Sequence, residues 1–309
     1  MKRVFIDGSA GTTGLRIRER LSARTDVTLL TLSDEVRKDK DARKAILNQA
    51  DVVFLCLPDD AARESAGMVE NEATVVLDTS TAHRTSPDWT YGFPELSPER
   101  EAAVRQSKRI AVPGCHASGF IALVAPLVKA GLLSPDLRLT CTSLTGYSGG
   151  GKKMIADYEA EDRDALLSAP RQYGLTQTHK HLPEMVAMTG LTHAPAFLPI
   201  VADFYSGMEV TVPLFAEDLK GTPDDVRAVY AALYRTPSVY YKEDAGEGGF
   251  LSATKLAGLD SMEISVAGNG ERILLTARYD NLGKGASGAA IACMNLALGL
   301  PLETGLVLA

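Results

Sequence analysis

Through its first hundred or so positions the chain alternates short, dense apolar runs with longer stretches of mixed polarity. The runs Lys2–Ile6, Val27–Leu32, Asp51–Leu57 and Thr74–Asp78 have the length of buried strands. Between them, the stretches from Gly14 to about Leu21, Lys40–Asn48 and Asp60–Val69 read as helices. Repeated strand–helix units of this size predict a parallel sheet covered on both faces. A Pro-rich loop is expected from Ser86 to Pro98, then a strand, Arg109–Val112, that stops at Pro113-Gly114, then an apolar helical run, Phe120–Leu133. Beyond it strand-like runs dominate: Leu137–Leu144, Phe197–Val201, Met208–Pro213, Met262–Val266 and Ile273–Tyr279. That change predicts a mixed, antiparallel-rich second domain. An Ala/Leu-rich helix closes the pattern near Leu298. The expected class is α/β: a Rossmann-like domain on a parallel sheet, followed by an α+β domain.

Composition narrows the partners. With 309 residues, 45% of them hydrophobic, the chain can build two cores. A net charge of -7 with scattered Lys and Arg leaves no basic footprint for nucleic acid or an anionic membrane surface. No signal-like or membrane-spanning apolar run stands out, so the protein is expected to be soluble and cytoplasmic. Cys56, Cys115, Cys141 and Cys293 are too dispersed for a metal site or a disulfide framework, and no metal is expected. Three of them sit in apolar runs and read as packing. Cys115 alone stands at a strand-to-helix break, where unpaired N–H groups and the helix dipole favour a thiolate.

Other candidate chemistry lies in the loops. Gly8-Ser9-Ala10-Gly11-Thr12-Thr13-Gly14 is a spacing variant of the dinucleotide turn, in which glycines let the backbone approach a pyrophosphate. Ser33, Asp34 and Glu35, followed by Arg37 and Lys38, end the second strand, and the basic pair favours the extra phosphate of NADP. Leu57-Pro58-Asp59 and Thr79-Ser80-Thr81-Ala82-His83-Arg84 fall at carboxyl ends of strands, where ligands of such sheets bind. Arg84 suits a phosphate or carboxylate. The loop from Thr145 to Lys153, with Ser148 and Gly149, suits backbone contact with an anion. His179-Lys180-His181-Leu182-Pro183-Glu184 lacks the helical metal spacing, and Pro183 argues against a regular helix across it. The small residues from Gly285 would let the last helix pack closely on another element or let a cofactor approach its N-terminus.

A nucleotide fold, a helix-terminal thiol and a separate histidine together suggest one reaction class. A thiolate attacks an acyl carbon, phosphate leaves, and the thioester accepts hydride from NADPH, giving an aldehyde. In this light the chain resembles the N-acetyl-gamma-glutamyl-phosphate reductase family, the shorter of its two types, within the semialdehyde dehydrogenases. The likeness covers essentially the whole chain. It rests on Gly8 to Gly14, Cys56 to Ala62, Tyr91 to Leu96, Pro113 to Cys115, Gly146 to Lys152, His179 to Glu184 and Asn281 to Gly288, in that order and spacing.

The resemblance implies Cys115 as nucleophile, His181 as acid/base, and His179 and Glu184 as supporting or substrate-contacting groups. It implies that Arg84 recognises the acyl phosphate, that NADP is the cofactor and that the protein is a homodimer or homotetramer. The expected reaction reduces N-acetyl-gamma-glutamyl phosphate to N-acetylglutamate 5-semialdehyde in arginine biosynthesis. The alternatives are the same chemistry on an aspartyl or carrier-bound aminoadipyl phosphate, and a non-catalytic NADP-binding regulator. By the same likeness the last helix returns over the cofactor domain, formed by residues 1–114 with 285–309, leaving 115–284 as the catalytic domain. Val112 before the thiol and His116-Ala117-Ser118 after it depart from the longer type, and His116 becomes a second candidate base.

Overall fold

The computed structural model describes residues 1–33, 35–37 and 39–309, so Asp34 and Lys38 lie outside the described residues. Contacts divide the chain into two units. One comprises Met1–Pro94, Pro98–Gly114 and Ala286–Leu306; the other comprises Glu95–Ser97, Cys115–Gly285 and Val307–Ala309.

In the first unit, β1 (Lys2–Asp7), α1 (Thr12–Ser22), β2 (Val27–Leu30), α2 (Lys40–Gln49), β3 (Val52–Leu55), α3 (Asp59–Gly67), β4 (Val75–Asp78), β5 (Thr90–Tyr91), α4 (Pro98–Gln106) and β6 (Arg109–Ala111) follow one another. The sheet runs β2-β1-β3-β4-β6-β5, and its pairs are parallel. Successive strand residues point to opposite faces, so these dense apolar runs fill two cores at once. Val4, Ile6, Val52, Phe54, Val75 and Leu77 pack with Ile17 and Leu21 of α1. Their neighbours Phe5, Val53, Leu55 and Val76 pack with Ile46 and Leu47 of α2 and Ala62 of α3. Helix α4 is absent from the sequence reading because it buries only Val104 and so carries no apolar stripe.

The second unit holds α5 (Cys115–Lys129), β7 (Thr140–Gly146), α6 (Gly151–Glu159), β8 (Arg171–Gln172), α7 (Leu182–Thr189), β9 (Ala196–Ala202), β10 (Met208–Phe215), α8 (Pro223–Leu233), β11 (Val239–Tyr241), β12 (Met262–Gly268) and β13 (Arg272–Tyr279). Its sheet runs β11-β12-β13-β10-β7-β9-β8. It is mixed, as expected: β7–β9 and β11–β12 pair parallel, and β7–β10, β10–β13, β12–β13 and β8–β9 antiparallel. Helix α8 was not anticipated, although Thr222 and Asp225 cap it reciprocally and Pro223 opens its first turn.

Helix α5 lies on β10 and β13, with α7 and α8 against it, and is buried over most of its circumference. Pro126 stands inside it and has no N–H to offer the carbonyl of Ala122, one turn earlier. The Tyr234 hydroxyl donates to that carbonyl at 2.7 Å, and the Tyr230 hydroxyl donates to the neighbouring Leu123 carbonyl at 2.5 Å. The backbone group orphaned by the proline is thus satisfied from α8 and the residue that caps it. The chain ends with α9 (Gly288–Ala297), which packs on α1, α4 and β4 of the first unit. Contacts thus place Ala286–Leu306 with the first unit, and Gly285 and Val307–Ala309 with the second.

Candidate active site

Val112 N–H donates to the Asp78 carbonyl at 2.8 Å, which extends β6 by one residue before Pro113-Gly114 turns the chain. Cys115 is then the first residue of α5. The Tyr279 hydroxyl, from the end of β13, donates to the Cys115 carbonyl at 2.5 Å and accepts from the Gly119 N–H at 3.0 Å. It clasps the first turn of the helix. A Cβ at residue 119 would lie 2.7 Å from that hydroxyl and 2.7 Å from Val210 Cγ2, so glycine is what lets α5 approach β13 and β10 this closely.

The other cysteines are placed as packing groups. Burial pushes the Cys56 thiol up to about 12 and raises that of Cys141 as well. Cys293 Sγ donates to the Gly92 carbonyl at 3.2 Å. None of the four is in a disulfide.

Three imidazoles gather beside the start of α5. His181 is the N-cap residue of α7, with Pro183 in the first turn, so the helix begins after both loop histidines. Its ring centroid is 4.8 Å from that of His179 and 5.6 Å from that of His116. His179 Nδ1 accepts from the His181 N–H at 3.2 Å. Burial, then the Lys180 cation, lower the pKa of His179. Glu184 is buried in the first turn of α7, where the helix dipole favours an anion.

His116 does not fit the part of a second base. It is 3% exposed, and burial, with His179 and Lys180 beside it, pushes its pKa down to about 3. Its Nδ1 lies 2.6 Å from Ser143 Oγ and its Nε2 lies 2.6 Å from the Tyr173 hydroxyl. The ring is neutral at physiological pH with both nitrogens engaged. Ser143, Tyr173 and Tyr279 were missed by the sequence reading, since a strand serine, a loop tyrosine and a strand tyrosine carry no local mark of chemistry.

Gly285 also belongs to this neighbourhood. Its N–H donates to the Asp280 carbonyl at 2.9 Å, and a Cβ on it would come within 3.0 Å of Cys115 Cβ. It lies in a π-helical turn, Gly283–Ser287. Preceding it, the Lys284 ammonium donates to the buried Glu95 carboxylate, which also accepts from Ser238 Oγ at 2.9 Å. Ser148 is buried, and its hydroxyl accepts from Asn281 Nδ2 at 3.0 Å. Gly149 is exposed, with only ordinary contact distances around a Cβ placed on it.

The dinucleotide turn lies in the first unit. Gly8 has φ +87°, and a Cβ there would sit 2.3 Å from the Cys56 carbonyl oxygen; one on Gly14 would sit 2.6 Å from the Gly8 carbonyl oxygen. Gly11 caps α1 without a side chain, and no acid occupies the first turn. Thr12 Oγ1 is buried there without a hydrogen-bond partner. A bare helix N-terminus with an orphaned hydroxyl fits a pyrophosphate. Thr13 follows in the same turn. Ser33 and Arg37 sit in an exposed turn after β2, the Ser33 carbonyl accepting from the Arg37 N–H at 3.0 Å.

Leu57 and Pro58 precede α3, and Asp59 accepts from the Thr81 N–H at 3.0 Å, tying the two loops together. Ser80 folds its loop by donating to Asp78 from N–H (2.9 Å) and hydroxyl (2.8 Å). Arg84 is buried, with Nε donating to the Val112 carbonyl and Nη2 to the Thr79 carbonyl, each at 2.9 Å. Two of its donors therefore brace the main chain just ahead of the thiol turn. Among the described residues no three His, Cys, Asp or Glu side chains are grouped to hold a metal, and no helix is long and apolar enough to cross a membrane.

Residues 3–104 match the semialdehyde dehydrogenase NAD-binding domain, and residues 115–281 match the semialdehyde dehydrogenase dimerisation domain. Among curated relatives, an N-acetyl-gamma-glutamyl-phosphate reductase of Rhizobium meliloti is 44% identical, over 96% of this chain and 98% of its own length. One from Chelativorans sp. is 45% identical with the same coverage. A Nostoc relative, N-acetyl-gamma-glutamyl-phosphate reductase 2, is 41% identical over 98% of this chain and 99% of its own. The chain belongs to the N-acetyl-gamma-glutamyl-phosphate reductase family. The chain shares its fold with aspartate semialdehyde dehydrogenase II of Vibrio cholerae, solved with ASA: TM-score 0.72, 17% identity, 97% and 98% of the two chains. A Candida albicans aspartate semialdehyde dehydrogenase solved with NADP has TM-score 0.65 at 14% identity, over 96% and 98%. As a reductase-family enzyme the chain therefore pairs a nicotinamide-dinucleotide-binding domain with a second, mixed-sheet domain.

Proposed function

We propose that the chain reduces N-acetyl-gamma-glutamyl phosphate with NADPH, releasing phosphate and N-acetylglutamate 5-semialdehyde. The observation that carries this reading is the seat of Cys115: first residue of a buried helix, clasped by Tyr279 and followed by His116, whose ring lies 5.6 Å from that of His181, in a chain whose relatives bear that activity in their names. Gly8, Gly11, Thr12, Thr13 and Gly14 would hold the dinucleotide pyrophosphate, with Leu57, Pro58 and Ser80 beside it and Ser33, Arg37 and Lys38 at the 2′-phosphate. When bound, the reduced dinucleotide supplies the hydride.

The chain's own groups do the rest. His181 takes the thiol proton as Cys115 sulfur bonds to the acyl carbon; the carbon–oxygen bond to phosphate breaks, and phosphate leaves with that electron pair. N–H groups of the first turn of α5 stabilise the oxyanion. His181 gives the thiol proton to the thiohemiacetal oxygen on reduction; the carbon–sulfur bond then breaks, the pair returns to sulfur, and the hydroxyl proton passes back to His181 as the aldehyde forms. His179 orients His181, while Glu184, Ser148 and Gly149 contact the acyl substrate. Arg84 would recognise the acyl phosphate through its guanidinium.

Steady-state rates in the reverse direction, with phosphate and each semialdehyde, test the substrate. N-acetylglutamate 5-semialdehyde is expected to exceed aspartate semialdehyde by about a hundredfold in kcat/KM, the scale set by groups left unpaired with a wrong substrate. The reverse preference would reject the reading. In the same assay NADP should exceed NAD by about tenfold or more, the worth of a charge-assisted hydrogen bond. Equal efficiency would remove Arg37 and Lys38 from the site.

Self-association belongs to the same proposal. Phe215 and Leu274 project from β10 and β13 as exposed apolar side chains, in a segment matching a dimerisation domain. Light scattering is expected to give a dimer or tetramer for the parent and a smaller species for Leu274→Asp. A monomeric parent would refute self-association.

A further inference from the structure

Asp280, the first residue after β13, is wholly buried, and the groups that donate to its carboxylate are all neutral. Oδ1 accepts from the Leu282 and Gly283 N–H groups, each at 2.7 Å. Oδ2 accepts from the Ser206 hydroxyl at 2.7 Å and from the Gly258 N–H at 2.5 Å. A carboxylate offers about four lone-pair sites, so four donors saturate it. They come from three places in the chain: the turn between β9 and β10, the segment ahead of β12, and the residues that follow β13.

The last of these places is the π-helical turn Gly283–Ser287. Such turns are rare and recur at functional sites. Asp280 organises this one twice, since its carboxylate takes the N–H groups at the entry and its carbonyl accepts from the Gly285 N–H at 2.9 Å. Other groups hold the turn as well. A Cβ on Gly283 would lie 2.1 Å from the Leu259 carbonyl oxygen, and the Lys284 ammonium donates to the buried Glu95 carboxylate. So seated, the turn brings Gly285 against the thiol residue: a Cβ there would stand 3.0 Å from Cys115 Cβ and 3.4 Å from Cys115 Cα. Tyr279, immediately before Asp280, donates to the Cys115 carbonyl at 2.5 Å. Residues 279 to 285 therefore grip Cys115 by its main chain and wall its side chain on one flank.

We propose that Asp280 is a positioning residue for the nucleophile: by drawing in the Gly283–Ser287 turn, it fixes the direction in which Cys115 presents its sulfur to the acyl carbon. Asp280 acts through Gly285 and touches neither substrate nor sulfur. With the carboxylate replaced by an amide, the turn loosens, and Cys115 keeps its reactivity but loses its alignment. This rests on Cys115 being the nucleophile, and the test separates the two ideas.

Asp280→Asn turns an amide N–H₂ toward groups that are themselves donors, and Ser206→Ala removes one donor of the four. Both variants and the parent are compared in the intact chain by kcat and KM for N-acetylglutamate 5-semialdehyde, and by the rate of iodoacetamide alkylation at each cysteine, read by peptide mass spectrometry. Asp280→Asn should lower kcat by about a hundredfold, the scale of a small misplacement at a reacting centre, with KM little changed. Ser206→Ala should lose about tenfold, the worth of one hydrogen bond to a carboxylate. Cys115 should alkylate at close to the parental rate in both, because a small diffusing reagent needs no alignment, and Cys141 and Cys293, each 0% exposed, should stay protected. Parental kcat in either folded variant overturns the proposal. So does a lowered kcat that comes with faster alkylation of Cys141 and Cys293, which is general loosening, or with a matching loss of Cys115 alkylation. A parent Cys115 that does not alkylate overturns the nucleophile reading beneath it.

Discussion

Cys115→Ser is expected to lower kcat by about four orders of magnitude or more, the scale on which enzymes lose rate when a covalent nucleophile is removed. Serine keeps the size and the main-chain bonds: the Cys115 carbonyl still accepts from Tyr279, and α5 still begins there. NADPH binding, followed by nucleotide fluorescence, should be unchanged, because the dinucleotide turn belongs to the other unit. Loss of turnover with retained binding and melting temperature identifies the sulfur as the reacting atom. Near-parental turnover would leave a nucleotide-binding protein without this chemistry.

The second large effect is at His181. His181→Asn is expected to lose roughly two to four orders of magnitude in kcat, the usual range for a positioned acid/base. The arrangement of the three imidazoles makes this a discriminating experiment. His116 is held neutral, with its pKa pushed down to about 3, so its charge does not change anywhere in the working range and it cannot take over the titration. His179 is also lowered, but it is only half-buried and lies next to His181. If His181→Asn keeps its rate and still shows a pH-dependent limb, His179 is the base. If the limb disappears with the rate, the role is His181's alone.

Much of the fold was legible because dense apolar strands separated by helices leave few alternatives, and β1 to β4 and α1 to α3 stand where the pattern put them to within a few residues. Helices with little apolar content escaped it. Val104 is the only buried residue of α4, and α6 grows directly from a glycine-rich loop. At the site, Cys115 and the loop histidines were visible since their residue types are rare in such places. The partners that decide their behaviour were not. Ser143 and Tyr173 meet His116 only through the crossing of α5 by β7 and the segment after β8, and no spacing in the chain encodes that meeting. The same limit applies to Arg84. Its residue type suggested an anion, but only the folded loops reveal that Val112 and Thr79 hold two of its donors.

The proline in α5 has a consequence for the sulfur at its far end. Because residue 126 has no amide hydrogen, one rung of the helix is left open for a phenol from the neighbouring helical segment. A helix keyed in this way cannot slide or rotate by one residue without presenting a carbonyl that is already occupied. The azimuth of Cys115 is thus set in part from the middle of the helix, and a substitution at Tyr234 would release the Ala122 carbonyl two turns away from the thiol.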